Sequence, residues 1–536
     1  MNTEHTKTHW ADALADKVLA EFPKSDTYTC AAGISPSGVV HFGNFRDVIT
    51  SFAVEEKLRE RKKNTRLLFS WDDFDRFRKV PQGVDSSFEK YIGMPLSVVP
   101  CPLGKYTSYA ERFQKEFEES MKELGIALEY RYQTKEYKSG RYDAQIAHAL
   151  KHRKIIAEIL LSFMTDKGKS EKGIERDDYI ARYYPISIYS RFSGTDNTEV
   201  LEYDGGANIT YKCRDSGKTE TIDFTKEHIV KLAWKIDWPM RWDAEGVVFE
   251  PGGHDHASPG GSFDVARVVA DKVFNITPPV FQEYLFVGLQ GLGTKMSGSR
   301  GNAVSPRALL EIYTPELLKW IYLKKPPLQP FSVAFNTEIY KQYGEFDTSV
   351  AALQANTLEE TEKISLIMSG VTTKKTLLSP IPFRQAISFG QVVQWDRAKL
   401  NAVLEGLDFQ YTPSSIDARL TKARAWLETY NKEEVLTVRE SANEEYAKRL
   451  GKKQIAHIRA LRAELAENKN ISLKEIEKIM YDIPKEPGNT DKENVPRQKM
   501  FFKDVYNLLI SRDAGPRLST FLWALPRPRV LALLGV

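Results

Sequence analysis

The sequence predicts an α/β protein carrying an α+β insertion and an all-helical C-terminal part. Three observations carry this expectation. Two apolar runs, Tyr28 to Ile34 and Arg66 to Trp71, flank a segment whose apolar residues recur at helical spacing, the pattern of a βαβ unit. Residues from about 105 to 225 abandon that rhythm, and from about 305 onward the pattern is helical.

The first run, Tyr28-Thr29-Cys30-Ala31-Ala32-Gly33-Ile34, reads as a buried strand because it is continuously apolar and stops at the turn formers Ser35-Pro36-Ser37-Gly38. After Gly43 and Asn44 the period changes: Phe45, Val48, Ile49, Phe52 and Ala53 fall on one helical face. Arg66 to Trp71 is the second strand, followed at once by Asp72-Asp73-Phe74-Asp75. In a parallel sheet ligands sit beyond the carboxyl ends of the strands, where both Ser35 to His41 and Asp72 to Asp75 emerge. Tyr109 to Leu124 and Arg141 to Met164 look helical, and Pro185 to Phe224 is a run of short strands punctuated by Gly194, Gly205-Gly206 and Gly217. The α/β character resumes at Gly246 to Glu250 and at Val280 to Leu289. In the helical part, Ile455, Ile458, Leu461 and Leu465 form a stripe. Ser472 to Glu475 has capping-box spacing, with Ile471 and Ile476 as a staple. Pro484 to Pro496 reads as a polar loop, and Phe501 to Leu509 begins another helix.

A chain of 536 residues is too long for one core and implies about three or four domains. The hydrophobic fraction of 42% and charged fraction of 28% are those of an ordinary globular protein, and a net charge of +4 neither demands nor excludes a nucleic-acid partner. Three scattered cysteines, Cys30, Cys101 and Cys213, make no disulfide framework and fit a reducing compartment. With no signal-peptide core and no run of roughly 18 apolar residues, the expectation is a cytoplasmic protein without a membrane partner.

Two polar, Gly/Ser-rich segments carry the chemistry: Pro36 to Asn44, and Lys295-Met296-Ser297-Gly298-Ser299. Taken singly, each is an ordinary turn or solvated loop. Together, each after a strand and with the acidic Asp72 to Asp75 between them, they suit adenylation of a carboxylic acid. In that reaction the carboxylate attacks the α-phosphorus of ATP and pyrophosphate leaves. The enzyme supplies no nucleophile, only position and charge. Glycines admit the nucleotide close to the backbone, a helix start near Asn44 offers free amides, His41 can donate to a phosphate oxygen, and Lys295 suits the departing pyrophosphate, with Ser297 and Ser299 as further donors.

Pro36 to Asn44 resembles the HIGH signature of class I aminoacyl-tRNA synthetases, and Lys295 to Ser299 resembles their KMSKS loop. Gly33 to Gly38, Trp71 to Asp75, Arg78 to Pro81, Gly253-His254-Asp255-His256 and Gly515 to Leu518 look like class I lysyl-tRNA synthetase, over most of the chain. The resemblance implies a Rossmann-type catalytic domain (1–104 and 225–304) and an insertion (105–224) on the acceptor-stem side. It further implies a helical connecting domain (305–350) and a helical anticodon-binding domain (351–536). It implies activation of L-lysine by ATP, with Mg²⁺ on the phosphates, and transfer to the 2′-hydroxyl of the terminal adenosine of tRNA-Lys by a monomer. By the same resemblance Pro36, Ser37, Gly38, His41, Gly43, Asn44, Asp255, Lys295, Met296, Ser297 and Ser299 would bind ATP, with His41 and Lys295 catalytic. Gly33, Ser35, Asp72, Asp73, Trp242, His256 and Tyr284 would line the lysine pocket, one of the two aspartates pairing with the ammonium, and Asp75 would meet the tRNA 3′ end. Arg517 and the helix of Tyr506 are candidates for reading the anticodon.

Two departures from the family pattern stand out. Gly298 replaces the second lysine of the loop, leaving Lys295 as its cation. Some relatives carry paired Cys-x-x-Cys motifs in the insertion; this chain has Ser190, Ser193, Cys213 and Ser216 at those places, so a ribbon-like part near 185–224 without structural zinc is expected. The other readings are a class I synthetase for another amino acid such as glutamate, a nucleotidyltransferase, or a non-catalytic tRNA-binding paralogue. The acidic Trp71 to Asp75 segment argues against an acidic substrate.

Overall fold

A computed structural model describes residues 8–171, 173–291, 304–374, 378–468 and 470–536. The chain forms two compact units. The first comprises the described residues of Met1–Leu310, Pro315–Val333 and Thr357–Thr373; the second those of Glu311–Thr314, Ala334–Asn356 and Lys374–Val536.

The first unit is built on a five-stranded parallel sheet. Its strands in chain order are β1 (Tyr28–Ile34), β2 (Thr65–Trp71), β3 (Glu129–Tyr132), β4 (Val247–Gly253) and β5 (Val280–Tyr284), in spatial order β5-β4-β1-β2-β3. Helix α1 (Trp10–Glu21) precedes the sheet, α2 (Phe45–Glu60) joins β1 to β2, α3 (Tyr109–Glu123) joins β2 to β3, and α4 (Trp234–Glu245) leads into β4. The chain runs outward from β1 to β3 and then returns to lay β4 and β5 on the other side. The order therefore reverses between β1 and β4, and a crevice opens there at the carboxyl ends of the strands. Gly33 is required in β1 because a Cβ there would lie 2.9 Å from the Ser70 carbonyl oxygen of β2.

Strand β3 lies inside the segment that the sequence assigns to the insertion, so α3 and β3 belong to the sheet and the insertion starts after Tyr132. The reason is local: β3 is a four-residue edge strand, Glu-Tyr-Arg-Tyr, with no apolar run to announce it. The expected element Val280 to Leu289 likewise divides, β5 joining the sheet and Val287–Gln290 entering a separate two-stranded ladder. The insertion consists of short helices from Gln133 to Arg182. A three-stranded antiparallel sheet (Thr198–Tyr203, Asn208–Cys213, Thr219–Asp223) follows, and Ile186–Ile188 pairs with Val230–Leu232. They share a core that includes Tyr137, Ile188, Tyr211 and Phe224.

The second unit is helical. Ile458, Leu461 and Leu465 are fully buried, and the Ser472/Glu475 capping box forms with Ile471 and Ile476 buried beside it. Two boundaries differ from the sequence reading. Helix Glu338–Gln354 runs through the expected division at 350/351, and Thr357–Thr373 belongs to the first unit. The polar stretch before Pro496 is already helix: Asp491–Ile510 starts at a second capping box, Thr490 with Glu493, and accommodates Pro496 inside it. Arg517 is held by Glu477 at 2.6 and 2.7 Å, and the Tyr506 hydroxyl donates to the Pro516 carbonyl. Both expected RNA-reading positions thus have internal partners.

Removing either cap should be measurable. Ser472→Ala or Thr490→Ala is expected to destabilise the helical unit by about 1 kcal/mol, a fall in Tm of about 2–4 °C for a unit of this size, read by thermal melts. An unchanged melt would show that the caps are not holding these helices.

Candidate active site

A cavity of about 530 Å³ opens at the reversal point. The tips of four parallel strands supply its floor: Gly33 and Ile34 at the end of β1 with Ser35 after it, Ser70 and Asp72 at β2, Glu250 to Gly253 on β4, and Tyr284 on β5. One wall is aromatic. Trp234, Trp238 and Trp242 recur every four residues on α4, so they fall on one face. The first two stack at 5.2 Å with 15° between their planes, and the third follows at 5.2 Å. His256 stands over Trp238 at 5.6 Å. Burial lowers the His256 pKa, with Asp255 opposing it, so the ring is neutral at pH 7.

The adjacent face of α4 carries Asp237 and Arg241. Arg241 is buried and ties Asp72, at the tip of β2, to Asp237, which in turn accepts from the Tyr137 hydroxyl of the insertion. Asp72 lines the cavity, but its charge is already met. Burial raises its pKa and Arg241 opposes that rise. Asp73 does not line the cavity. It accepts from the Thr134 backbone amide at 2.8 Å and from Gln114 at 3.4 Å, which fixes the turn after β2. Asp75 lines the cavity with Lys231 as its partner; burial works against the carboxylate, yet Lys231 holds its pKa below the usual range.

Of the expected lysine-pocket residues, Gly33, Ser35, Asp72, Trp242, His256 and Tyr284 do meet around one cavity. Two carboxylates that the sequence reading passed over stand among them. Asp47, in the first turn of α2, accepts from the Gly33 amide at 3.2 Å and from Tyr284. Glu250 on β4 accepts from the Trp242 indole at 2.6 Å. Burial drives both upward, Asp47 well above its ordinary value and Glu250 to about 7. A signal for Asp47 was available, since it sits three residues after Asn44 in the first turn of a helix whose start was legible. Glu250 carried none, being one acid in a strand. The four-residue spacing of Trp234, Trp238 and Trp242 could also have been read.

The expected ATP segment sits beside the cavity, with Asn44 in its lining. Asn44 begins α2 and its side-chain oxygen accepts from the His41 amide at 3.2 Å. The Gly43 amide donates to His41 Nδ1 at 3.1 Å, which leaves the proton on Nε2 free to donate outward; burial keeps the ring neutral by lowering its pKa. Gly43 has no room for a side chain, because a Cβ would lie 2.8 Å from the His41 ring. The Ser37 carbonyl accepts from Tyr109 at 3.0 Å, anchoring Pro36 to Gly38 to α3. Asp255 is exposed on the short helix after β4 and lies outside the cavity lining. Lys295, Met296, Ser297 and Ser299 lie outside the described residues.

In the insertion, Ser190, Ser193, Cys213 and Ser216 are brought together, with Cys213 Sγ 3.5 Å from Ser193 Oγ. Burial pushes the Cys213 thiol up, but hydrogen bonds from Ser190, Ser216 and Ser193 outweigh it and bring the value to about 6. Asp215 accepts from Thr195 and, at 2.6 Å, from Asn197, so side-chain hydrogen bonds close this knuckle. Among the described residues no three His, Cys, Asp or Glu side chains group as metal ligands, and no helix is long and apolar enough to cross a membrane.

A parallel sheet with a ligand cavity at its reversal point, flanked by a His-x-Gly-Asn helix start, defines a nucleotide-binding α/β enzyme of synthetase type. The family model for class I tRNA synthetases (K) matches residues 8–372. A Streptomyces coelicolor protein named lysine--tRNA ligase is 35% identical over 98% of both chains. Proteins of the same name from Treponema pallidum and Pyrococcus horikoshii are each 32% identical, again over 98% of both. A solved glutamate tRNA ligase from Elizabethkingia meningosepticum aligns with a TM-score of 0.43 at 12% identity, over 95% of this chain and 98% of that one. The chain belongs to the class I tRNA synthetase (K) family.

Two outcomes test the site. Gly43→Ala should displace the His41 ring and lower amino-acid activation about 10- to 100-fold while the far-UV circular dichroism is unchanged; wild-type activity would remove His41 from the site. Metal analysis of the purified protein is expected to find no stoichiometric zinc, and finding it would overturn the hydrogen-bonded knuckle.

Proposed function

We propose that the protein activates L-lysine with ATP as lysyl-adenylate and passes the lysyl group to the 3′-terminal adenosine of tRNA-Lys. The observation that carries this reading is the cavity itself: carboxylates at its base and three tryptophans along its side, next to the His41 turn. Indole faces accept both an alkyl stem and the cation at its end, and a desolvated ammonium demands an anionic partner. Beside Asp47 and Glu250 a glutamate carboxylate would add a third acid to the enclosure, whereas an ammonium can pair with them.

The chemistry is one of positioning. The lysine carboxylate attacks the α-phosphorus, the bond to the β,γ-pyrophosphate breaks, and pyrophosphate leaves with the electron pair. His41 Nε2–H donates to the phosphate that gathers charge, and the start of α2 turns its positive dipole end the same way. Lys295 holds the leaving pyrophosphate. Mg²⁺ would come with ATP as the counter-ion of its phosphates, where it would offset charge on the leaving pyrophosphate. In the second step the terminal 2′-hydroxyl attacks the lysyl carbonyl and AMP leaves. We assign Asp75, a cavity-lining acid paired with Lys231, to the approach of the terminal adenosine. The helical unit supplies the anticodon contacts.

Amino-acid-dependent pyrophosphate exchange tests the reading. Exchange is expected with lysine and to require tRNA; exchange with glutamate and not lysine would overturn the assignment, and none with any amino acid would favour a non-catalytic RNA-binding role. Lys295→Ala should lower the rate of the chemical step about 100-fold or more with tRNA affinity kept.

A further inference from the structure

Arg46, the second residue of α2, is only 2% exposed, and among the described residues no carboxylate pairs with it. Burial lowers its pKa to about 10, which leaves it charged at pH 7. Its guanidinium forks between two stretches of chain far from it in sequence. Nη1 donates to the Leu285 carbonyl at 2.8 Å, and Nη2 donates to the Pro326 and Gln329 carbonyls, each at 2.8 Å. Its Cζ lies 4.9 Å from the centre of the Phe331 ring. Leu285 closes the junction from its other side, its amide donating to the Pro327 carbonyl at 3.0 Å. The His41 turn is tied to the same place. The Tyr322 hydroxyl donates to the Phe42 carbonyl at 2.8 Å, and the Tyr322 ring packs edge-on against both Phe45 and Phe331, at 4.9 Å each.

This is a costly position for a cation. Burial without a counter-ion works against it, and the dipole at a helix start disfavours positive charge. An apolar side chain would fill the space at lower cost, and a lysine would carry the same charge. Neither can span three carbonyls, which takes a planar fork with donors on both arms. What the fork joins is the second observation. Leu285 follows Tyr284, which lines the cavity at the end of β5. Asp47, next to Arg46, lines the cavity from α2 and accepts from the Tyr284 hydroxyl. Two consecutive residues of α2 therefore hold the end of β5, one by its backbone and one by its side chain. The same helix start carries Asn44 and the His41 turn.

We infer that Arg46 is a positioning residue for adenylate formation: its fork keeps the His41 turn at the start of α2 in register with Tyr284 on β5, and it acts through geometry and not through its charge. The inference rests on the proposed function, which gives the first of these places to ATP and the second to the amino acid. It goes further by assigning the alignment of the two substrates to a residue outside the cavity lining. In-line attack requires the carboxylate oxygen and the α-phosphorus in contact, and a misplacement of about 1 Å can cost about 100-fold in rate.

The test uses the full chain with tRNA-Lys, ATP and lysine. Lysine-dependent pyrophosphate exchange by the wild-type protein is measured first and tests the proposed function separately. Arg46→Lys keeps the charge and gives up the fork. It is expected to lower kcat for exchange about 30- to 100-fold, while KM for lysine and for ATP stays within about threefold and the far-UV circular dichroism is unchanged. Arg46→Gln, neutral and without the fork, should lose kcat by a similar factor, which separates geometry from charge. Wild-type kcat in Arg46→Lys would overturn the inference, even with a lowered Tm, because Arg46 would then serve stability alone. A loss in Arg46→Gln but not in Arg46→Lys would overturn it by making charge the active property. Raised KM values with kcat kept would overturn it by placing Arg46 in ground-state binding. If neither variant gave a folded chain, Arg46 would be a folding residue and the inference would fall while wild-type exchange kept the proposed function standing. Absence of lysine-dependent exchange in the wild type would overturn both.

Discussion

One buried guanidinium holds the first unit's site in register. Arg241 on α4 reaches Asp72 at the tip of β2 and Asp237 on its own helix, and Asp237 accepts from Tyr137 of the insertion, whose hydroxyl also receives the Leu232 amide. Four parts of the chain therefore meet on one charge. Removing a single member would strand the others in a low-dielectric interior, which costs about 3–5 kcal/mol. Because Arg241 neutralises Asp72, that aspartate can line a ligand cavity without competing for the ligand's charge.

That arrangement leaves the opposite side of the cavity free to be selective. Asp72, Asp75, Asp196 and Glu245 have Arg or Lys partners, while Asp47 and Glu250 are met by amide, indole and hydroxyl donors. The tryptophan wall lies along the cavity beside them. The hydrophobic stem of a substrate can pack against indole faces while its terminal charge meets the unpaired acids. The His41 turn, with Nδ1 occupied by the Gly43 amide, presents its other nitrogen as a donor. The proposed function assigns substrate selection and phosphate handling to separate atoms at the same end of the sheet.

In the insertion, side-chain hydrogen bonds close the turn around Cys213. Cys213 remains with three serines around it, and the Thr195, Asn197 and Asp215 side chains bond to one another nearby. Serine hydroxyls are poor zinc ligands but good hydrogen-bond partners.

Much of the fold was legible because it depends on local patterns. The strands β1 and β2, helix α2 and the capping box at Ser472 each declare themselves through apolar runs, period and turn residues, and the HIGH-like and KMSKS-like segments declare the family. Strand β3 was not legible, since a short polar edge strand has no periodic signature, and neither was the helix start at Thr490, masked by a proline six residues later. The sequence by itself determined the class of chemistry and named several of the residues around the cavity, among them Gly33, Asp72, Trp242 and Tyr284. Only the tertiary structure decided which acids are available to a ligand. Asp72 and Asp73 look equivalent in the chain, but Arg241, 169 residues away from Asp72, meets one of them and the Thr134 amide meets the other. Asp47 and Glu250 become a pair only when α2 and β4 flank β1, because whether a carboxylate is free depends on the charges that folding brings to it.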